Sequence, residues 1–225
     1  MISIAIDGPS GSGKSTISKC LAKRLRFVSL DTGALYRAIA YFLKIKKTDY
    51  KNEKLVAQEL KNINISLRYL NSVQRVFLDD TDITNNIRSE DISMISSCIS
   101  SMKCVREYLL KFQRNMADKH DIIMDGRDIG TVILPNATVK IFLTASPEIR
   151  AQRRYKELSE SGEKVSYNEV LNDVMKRDFN DTTRKISPLR QAEDAILFDS
   201  SKYNFEQTVD KLFEIIKERI SCEAK

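Results

Sequence analysis

The first 43 residues alternate between short apolar runs and amphipathic stretches. Ile2, Ile4 and Ile6 predict a buried strand, and residues 27–30 predict a second one. After each run, apolar residues recur at intervals of three and four, which is the spacing of one helix face. Strands and helices that alternate in this way predict an α/β fold with a parallel sheet.

A hairpin-like segment interrupts the alternation. Apolar and polar residues alternate over residues 63–69, a turn is expected at Asn71 and Ser72, and residues 73–78 predict a returning strand. A returning strand of this kind is foreign to a parallel sheet. We therefore interpret residues 44–88 as an inserted α+β subdomain.

The core pattern resumes after the insert. Apolar runs that begin at Ile122, Val139 and Ala195 predict the third, fourth and fifth strands. The core is therefore expected to comprise residues 1–43 and 89–225, with a five-stranded parallel sheet flanked by helices.

The link between the first strand and the first helix reads GPSGSGKS, which matches the phosphate-binding pattern G-x-x-x-x-G-K-[ST]. Glycines let several N–H groups face one concavity at a helix N-terminus, where the dipole favours anions. Lys14 is expected to contact the β- and γ-phosphates of ATP, and the Ser15 hydroxyl to bind Mg²⁺. The expected phosphate-binding set is Gly8, Pro9, Ser10, Gly11, Ser12, Gly13, Lys14, Ser15 and Thr16.

Arginines and carboxylates cluster where other strands end. DTGALYR (31–37) follows the second strand and DGRDIGT (125–131) follows the third. Ligands of open α/β sheets bind at the carboxyl ends of strands, so both segments should meet the glycine loop. RDFNDTTR (177–184) adds arginines and aspartate at helical spacing.

Taken together, these segments resemble those of bacterial-type cytidylate kinases, which belong to the nucleoside monophosphate (NMP) kinases. The resemblance runs nearly end to end and includes Val-Arg-Glu at 105–107 and Ser-Pro-Leu at 187–189. It implies transfer of the γ-phosphate of ATP to CMP or dCMP in pyrimidine nucleotide metabolism, with Mg²⁺. It also implies a P-loop kinase core, an NMP-binding insert and a helical lid.

The resemblance also implies roles for individual residues. The residues implied to contact CMP are Thr32, Arg37, Ser97, Arg106, Arg127, Asp128, Arg177, Asp181 and Arg184. Arg37, Arg127 and Arg177 would hold the phosphate, and Asp181 the ribose, with Arg184 close by. The cytosine edge would be read by Ser97, Arg106 and Asp128.

A mobile lid over about residues 148–164 is implied as well. Its arginines, Arg150, Arg153 and Arg154, would close over the transferring phosphoryl group and exclude water. A solvated basic helix face is the alternative for them. The implied catalytic set is Lys14, Arg127, Arg177 and Arg154. No general base is needed, because the CMP phosphate is largely deprotonated at pH 7.

Asp125 is open to two interpretations. It ends an apolar strand and resembles a Walker-B carboxylate, which would hold Mg²⁺ together with Ser15. Equally, its side chain could cap the turn that follows. The sequence does not separate the two.

Composition narrows the class of partner. The 225 residues carry 37 basic and 31 acidic side chains, a net charge of +6, without a long basic tract. We therefore expect small anionic nucleotides as partners and no nucleic acid. No apolar run is long enough to span a membrane, and the N-terminus lacks a targeting pattern. A cytoplasmic protein is expected, and the resemblance adds that it is monomeric.

Two other functions stay open at this stage. Another P-loop kinase, acting on UMP, gluconate or shikimate, would share the core but not the cytosine-reading residues or the long insert. A non-catalytic nucleotide-binding regulator would keep Lys14 without needing Arg37, Arg127 or Arg177.

Overall fold

The computed structural model describes residues 1–70, 73–160 and 162–223, so the turn expected at Asn71 and Ser72 lies outside the described residues. The strands are β1 (Ser3–Asp7), β2 (Val28–Asp31), β3 (Ile65–Leu70), β4 (Val73–Leu78), β5 (Thr81–Asp82), β6 (Ile122–Gly126), β7 (Val139–Thr144) and β8 (Ile196–Asp199). The helices are α1 (Lys14–Leu25), α2 (Thr32–Ile45), α3 (Glu53–Glu59), α4 (Glu90–Ile99), α5 (Lys103–Lys119), α6 (Pro147–Glu160), α7 (Tyr167–Thr183) and α8 (Phe205–Glu223).

The central sheet has five parallel strands in the order β2-β6-β1-β7-β8, flanked by helices, which confirms the α/β prediction. Its middle strand β1 is covered on both faces, and Ile4, Ala5 and Ile6 are fully buried. Because helices cover both faces, the inner strand β1 is apolar at three consecutive positions instead of alternating. The carboxyl ends of β1, β2 and β6 lie side by side at one edge of the sheet.

The inserted segment forms a second, antiparallel sheet of β3, β4 and β5, with α3 before it. The predicted hairpin is present, and Leu67 pairs with Val76 across it. Among its described residues the insert has no separate core. Its buried Val56, Ile83 and Ile87 belong to the same apolar cluster as residues of α2. The domain boundaries at residues 44 and 88 stay a prediction.

Two local features position residues near the edge of the sheet. The carboxylate of Asp31 caps α2 by accepting the N–H of Ala34 at 3.0 Å. After β6 the chain makes one wide helical turn, Ile129–Ile133, in which the N–H of Leu134 donates to the carbonyl of Ile129. No apolar periodicity indicates this turn, and the sequence did not predict it.

Among the described residues, no helix is both long and apolar enough to cross a membrane.

The shared core leads to a prediction about cooperativity. Ile83 of the insert is 2% exposed and packs in the core cluster, so Ile83→Ala should lower the free energy of unfolding by about 2–5 kcal/mol. Urea denaturation followed by far-UV circular dichroism measures this as a shift of a single transition. Leu70→Ala, at an exposed site of the same insert, should change it by less than about 0.5 kcal/mol. A separate early transition for the insert would contradict the shared core.

Candidate active site

A polar cleft of about 280 Å³ opens at the carboxyl ends of β1, β2 and β6. It brings together segments that are far apart in the sequence. The predicted site residues that line it are Ser10, Gly11, Lys14, Ser15, Thr32, Arg37, Ser97, Arg106, Asp125, Arg127, Asp128, Arg177, Asp181 and Arg184. The predicted residues that do not line it are the remaining five of the glycine loop and the three arginines of α6.

The glycine loop is shaped by close packing as well as by backbone freedom. A Cβ at Gly8 would lie 2.0 Å from the carbonyl oxygen of Leu143, so no side chain fits there. Gly13 has a left-handed φ of 86° and is the residue that precedes α1. In the described part of the chain no side chain caps the N-terminus of α1, and the first turn of this helix has no acidic residue. The positive end of the helix dipole therefore faces the cleft without a neutralising partner from the described residues.

Lys14 is held inside this loop. Its Nζ donates to the carbonyl of Pro9 at 2.8 Å, and the side chain is buried. Burial and then the neighbouring Arg127 lower the pKa of Lys14 from its ordinary value of 10.5. Asp125 and Asp181 act in the opposite direction. A phosphate in the loop would add negative charge and favour the protonated amine.

Asp125 and Ser15 form a pair beside Lys14. The Ser15 hydroxyl donates to Oδ2 of Asp125 at 2.5 Å, whereas Oδ1 is buried without a hydrogen-bond partner among the described residues. Burial and then Asp31 raise the pKa of the Asp125 carboxyl above its ordinary value. The carboxylate does not bond to the turn after β6, so the turn-capping interpretation is wrong. The backbone carbonyl of Asp125 instead accepts from the Thr32 hydroxyl at 2.7 Å.

Three arginines present guanidinium groups to the same cleft. Arg37 donates to Asp31 at 2.9 Å, and Nε of Arg127 donates to Asp181 at 2.6 Å. Arg177 differs, because it makes no ion pair or hydrogen bond with any described residue. Burial lowers the pKa of Arg177, because it disfavours the charged form, and the nearby cation Arg154 lowers it further.

A second charged group lies deeper in the cleft. Arg106 donates to the buried Asp128, to the hydroxyl of Ser187 at 3.1 Å and to the carbonyl of Ser100 at 2.9 Å. Arg184 lies 3.7 Å from both Asp128 and Asp181. Within this group Arg106 can donate to a polar ring edge, and Asp128 can accept from one. Ser97 lines the cleft on α4, but its hydroxyl makes no hydrogen bond with the described residues.

The three arginines of α6 differ in their contacts, and their role in a lid stays a prediction. Arg150 is 3% exposed, and it donates to the carbonyl of Ser10 at 2.9 Å and to both carboxylate oxygens of Asp178 at 3.1 and 2.5 Å. Arg153 donates to the carbonyl of Ser200 at 3.0 Å. Both are therefore committed to structural contacts in this conformation. Arg154 is half-exposed and lies beside Arg177 in a small adjoining cavity.

Asp7 is a site residue that the sequence reasoning missed. Its carboxylate accepts the N–H groups of Ile129 and Gly130, each at 2.8 Å, and so fixes the wide turn that follows Arg127 and Asp128. Burial raises the pKa of Asp7 to about 6. An acidic residue at the end of an otherwise apolar strand was the available signal.

A lysine and a hydroxyl at the start of a helix, next to a second anion site lined by arginines, make up the arrangement of a P-loop kinase. The comparison with known families narrows this class. Residues 4–218 match the family model described as cytidylate kinase, and the chain belongs to that family.

Curated relatives are similar in sequence to this chain over nearly its whole length. The cytidylate kinase of Caldicellulosiruptor saccharolyticus is 46% identical over 224 residues, covering 99% of this chain and 98% of the relative. That of Bacillus subtilis is 42% identical over 218 residues, covering 97% of each. The bifunctional pantoate ligase/cytidylate kinase of Prochlorococcus marinus is 48% identical over 215 residues, which are 94% of this chain and 42% of the relative.

Solved structures support the fold alone. Shikimate kinase from Bacteroides thetaiotaomicron matches with a TM-score of 0.50 at 15% identity, covering 96% of this chain and 98% of that one. An uncharacterized protein from Eubacterium ventriosum matches with a TM-score of 0.53 at 15% identity, covering 96% and 99%.

The close packing of the glycine loop can be tested by one methyl group. Gly8→Ala should displace the loop, because the new Cβ meets the carbonyl of Leu143, and should raise the Kd for ATP about tenfold or more. Calorimetric titration with ATP measures it. Gly162→Ala is the control, since Gly162 has a left-handed φ of 84° but no described residue beyond its chain neighbours lies within 4 Å of its Cβ position. Equal effects of both variants would assign the loss to general backbone strain.

Proposed function

We propose that this protein transfers the γ-phosphoryl group of ATP to CMP or dCMP, giving ADP and CDP or dCDP. One observation carries the proposal: a glycine-loop anion site and an arginine-lined anion site share one cleft. A nucleotide-binding regulator has no use for the second site. The names of the relatives and the chain's membership of the cytidylate kinase family support cytosine as the acceptor base.

The donor phosphates would lie against the free N–H groups at the start of α1, with Lys14 between the β- and γ-phosphates. Mg²⁺ fits beside them, because the Ser15 hydroxyl and the unpartnered buried oxygen of Asp125 are oxygen ligands at the loop. When bound, the ion would neutralise charge on the β- and γ-phosphate oxygens.

The acceptor phosphate would be held by Arg37, Arg127 and Arg177, whose charge offsets the repulsion between two anions. Asp31 and Asp181 hold two of these guanidinium groups in place before substrate arrives. A phosphate oxygen of CMP then attacks the γ-phosphorus in line, and the protein contributes positioning and charge stabilisation.

Selection of the base would rest on Arg106 and Asp128, which present a donor and an acceptor to the cytosine edge. Asp181 faces both Arg127 and Arg184 and would accept a ribose hydroxyl. We propose that about residues 148–164 form the lid, with Arg154 as the arginine that joins the transferring group. The monomeric state and the cytoplasmic location stay predictions from the sequence.

The reaction is tested with a panel of acceptors. ATP consumption with Mg²⁺ is measured against CMP, dCMP, UMP, AMP, GMP and shikimate. We expect kcat/KM for CMP and dCMP to exceed that for the others at least about 100-fold, because unpaired polar groups in a site reject the wrong ligand. Lys14→Ala should lower kcat about 10²–10³-fold while the chain stays folded. If shikimate alone were phosphorylated, the proposal that CMP or dCMP is the acceptor would be wrong.

Arg177 provides a test of the acceptor site. Arg177→Ala should lower kcat/KM for CMP about tenfold or more, because an unpaired guanidinium is free to bind phosphate, and should change the Kd for ATP less than about threefold. Steady-state kinetics and ATP titration measure the two effects. The control Arg24→Ala removes an exposed arginine of α1 and should leave both within about twofold. Equal losses for CMP and ATP would place Arg177 outside the acceptor site.

A further inference from the structure

The outer edge of β2 is covered by side chains from the insert. Within the central sheet β2 pairs only with β6 among the described residues, so the backbone groups on its other side need partners. The β3–β4 hairpin supplies them. The Tyr69 hydroxyl donates to the carbonyl of Ser29 at 3.2 Å, and Oε1 of Gln74 accepts the N–H of Asp31 at 2.9 Å.

Gln74 is suited to this position because it is a neutral amide. It is 8% exposed, and its Nε2 also lies 3.5 Å from the carbonyl of Asp31. The side chain thereby meets both backbone groups of one residue, as a neighbouring strand would. An apolar side chain of the same length would leave the N–H of Asp31 without this partner.

Asp31 connects this contact to the cleft. It is the last residue of β2, it caps α2, and its carboxylate holds Nη2 of Arg37 at 2.9 Å. Nε of Arg37 is buried without a hydrogen-bond partner among the described residues, and the side chain of Arg37 lines the cleft. A shift of the Asp31 backbone would move the carboxylate and, with it, the guanidinium group. Gln74 itself does not line the cleft.

We propose that Gln74 is a positioning residue for the acceptor phosphate. It fixes the main chain of Asp31, and through the Asp31 carboxylate it fixes Arg37. The insert therefore contributes to phosphate binding without touching the phosphate. The inference rests on the proposed function, in which Arg37 binds the phosphate of CMP.

The chain offers a matched pair of variants. Gln74→Met keeps the length of the side chain and removes its amide, whereas Tyr69→Phe removes the other hairpin contact, at Ser29 two residues earlier. If the two contacts merely fasten the hairpin, both variants should behave alike. If Gln74 acts on Arg37, only its variant should weaken phosphate binding.

The measurement distinguishes binding of the phosphate from binding of the base. For Gln74→Met we expect the KM for CMP to rise about five- to tenfold, the effect of one weakened charge-assisted bond, with kcat and the KM for ATP within about twofold. Cytidine, which lacks the phosphate, serves as a competitive inhibitor, and its Ki should change less than twofold. Tyr69→Phe should leave all four quantities within twofold.

A second comparison tests the route through Arg37. In an Arg37→Met background, adding Gln74→Met should change the KM for CMP less than twofold, because the group it positions is gone. Gln74→Asn shortens the side chain by one methylene, which moves the amide away from Asp31 but keeps a polar side chain. If Gln74→Met does not fold, Gln74→Asn should give the same rise in the KM for CMP.

Three outcomes would overturn the inference. They are an unchanged KM for CMP in Gln74→Met, an equal rise in Tyr69→Phe, and a parallel loss of cytidine binding. These results with an active wild type would refute the positioning role alone. A wild type that does not phosphorylate CMP would refute the proposed function and this inference with it.

Discussion

The structure depends on holding several cations close together in a partly buried cleft before any anion arrives. Charges taken out of water are costly unless they are paired, and like charges repel strongly there. The chain meets this constraint by giving most of its cleft arginines a carboxylate partner. The pairs are Arg37 with Asp31, Arg127 with Asp181, and Arg106 with Asp128. Each carboxylate also fixes the orientation of its guanidinium group, so the arrangement that prevents repulsion also prepares the site.

The fold supplies the positions for these pairs. Parallel strands end at a common edge, and the acids at those ends have three different uses. Asp7 receives two N–H groups of the turn after β6, Asp31 caps α2 and holds Arg37, and Asp125 receives Ser15. Burial opposes the ionised form at each position. Burial raises the pKa of Asp7 and Asp125, whereas the guanidinium of Arg37 and the α2 N–H keep the pKa of Asp31 below its ordinary value.

The sequence predicted the parts of the site that local patterns encode. The glycine loop is short, lies between a strand and a helix, and carries its own motif, so its location at the start of α1 followed from periodicity. The contacts of Arg150 and Gln74 could not be predicted this way. Arg150 bonds to Ser10 across 140 positions, and Gln74 bonds to Asp31 across 43. Both are side-chain bonds to backbone groups, and residue spacing contains no record of which carbonyl or N–H a distant side chain reaches.

The elements that line the cleft pack in separate apolar clusters. The insert shares one of these clusters with α2, the helix that carries Arg37. The helices α6 and α7 instead pack on each other through a small separate cluster of Ala151, Val170 and Val174. Polar contacts, among them the bonds of Arg150 to Ser10, join this pair to the rest. The small cluster of α6 and α7 is separate from the larger apolar clusters, so a movement of this pair would leave those clusters intact. Arg177 lies on α7, so such a movement would change the distance between its guanidinium and that of Arg37, and an anion bound between the two groups would stabilise the closed arrangement.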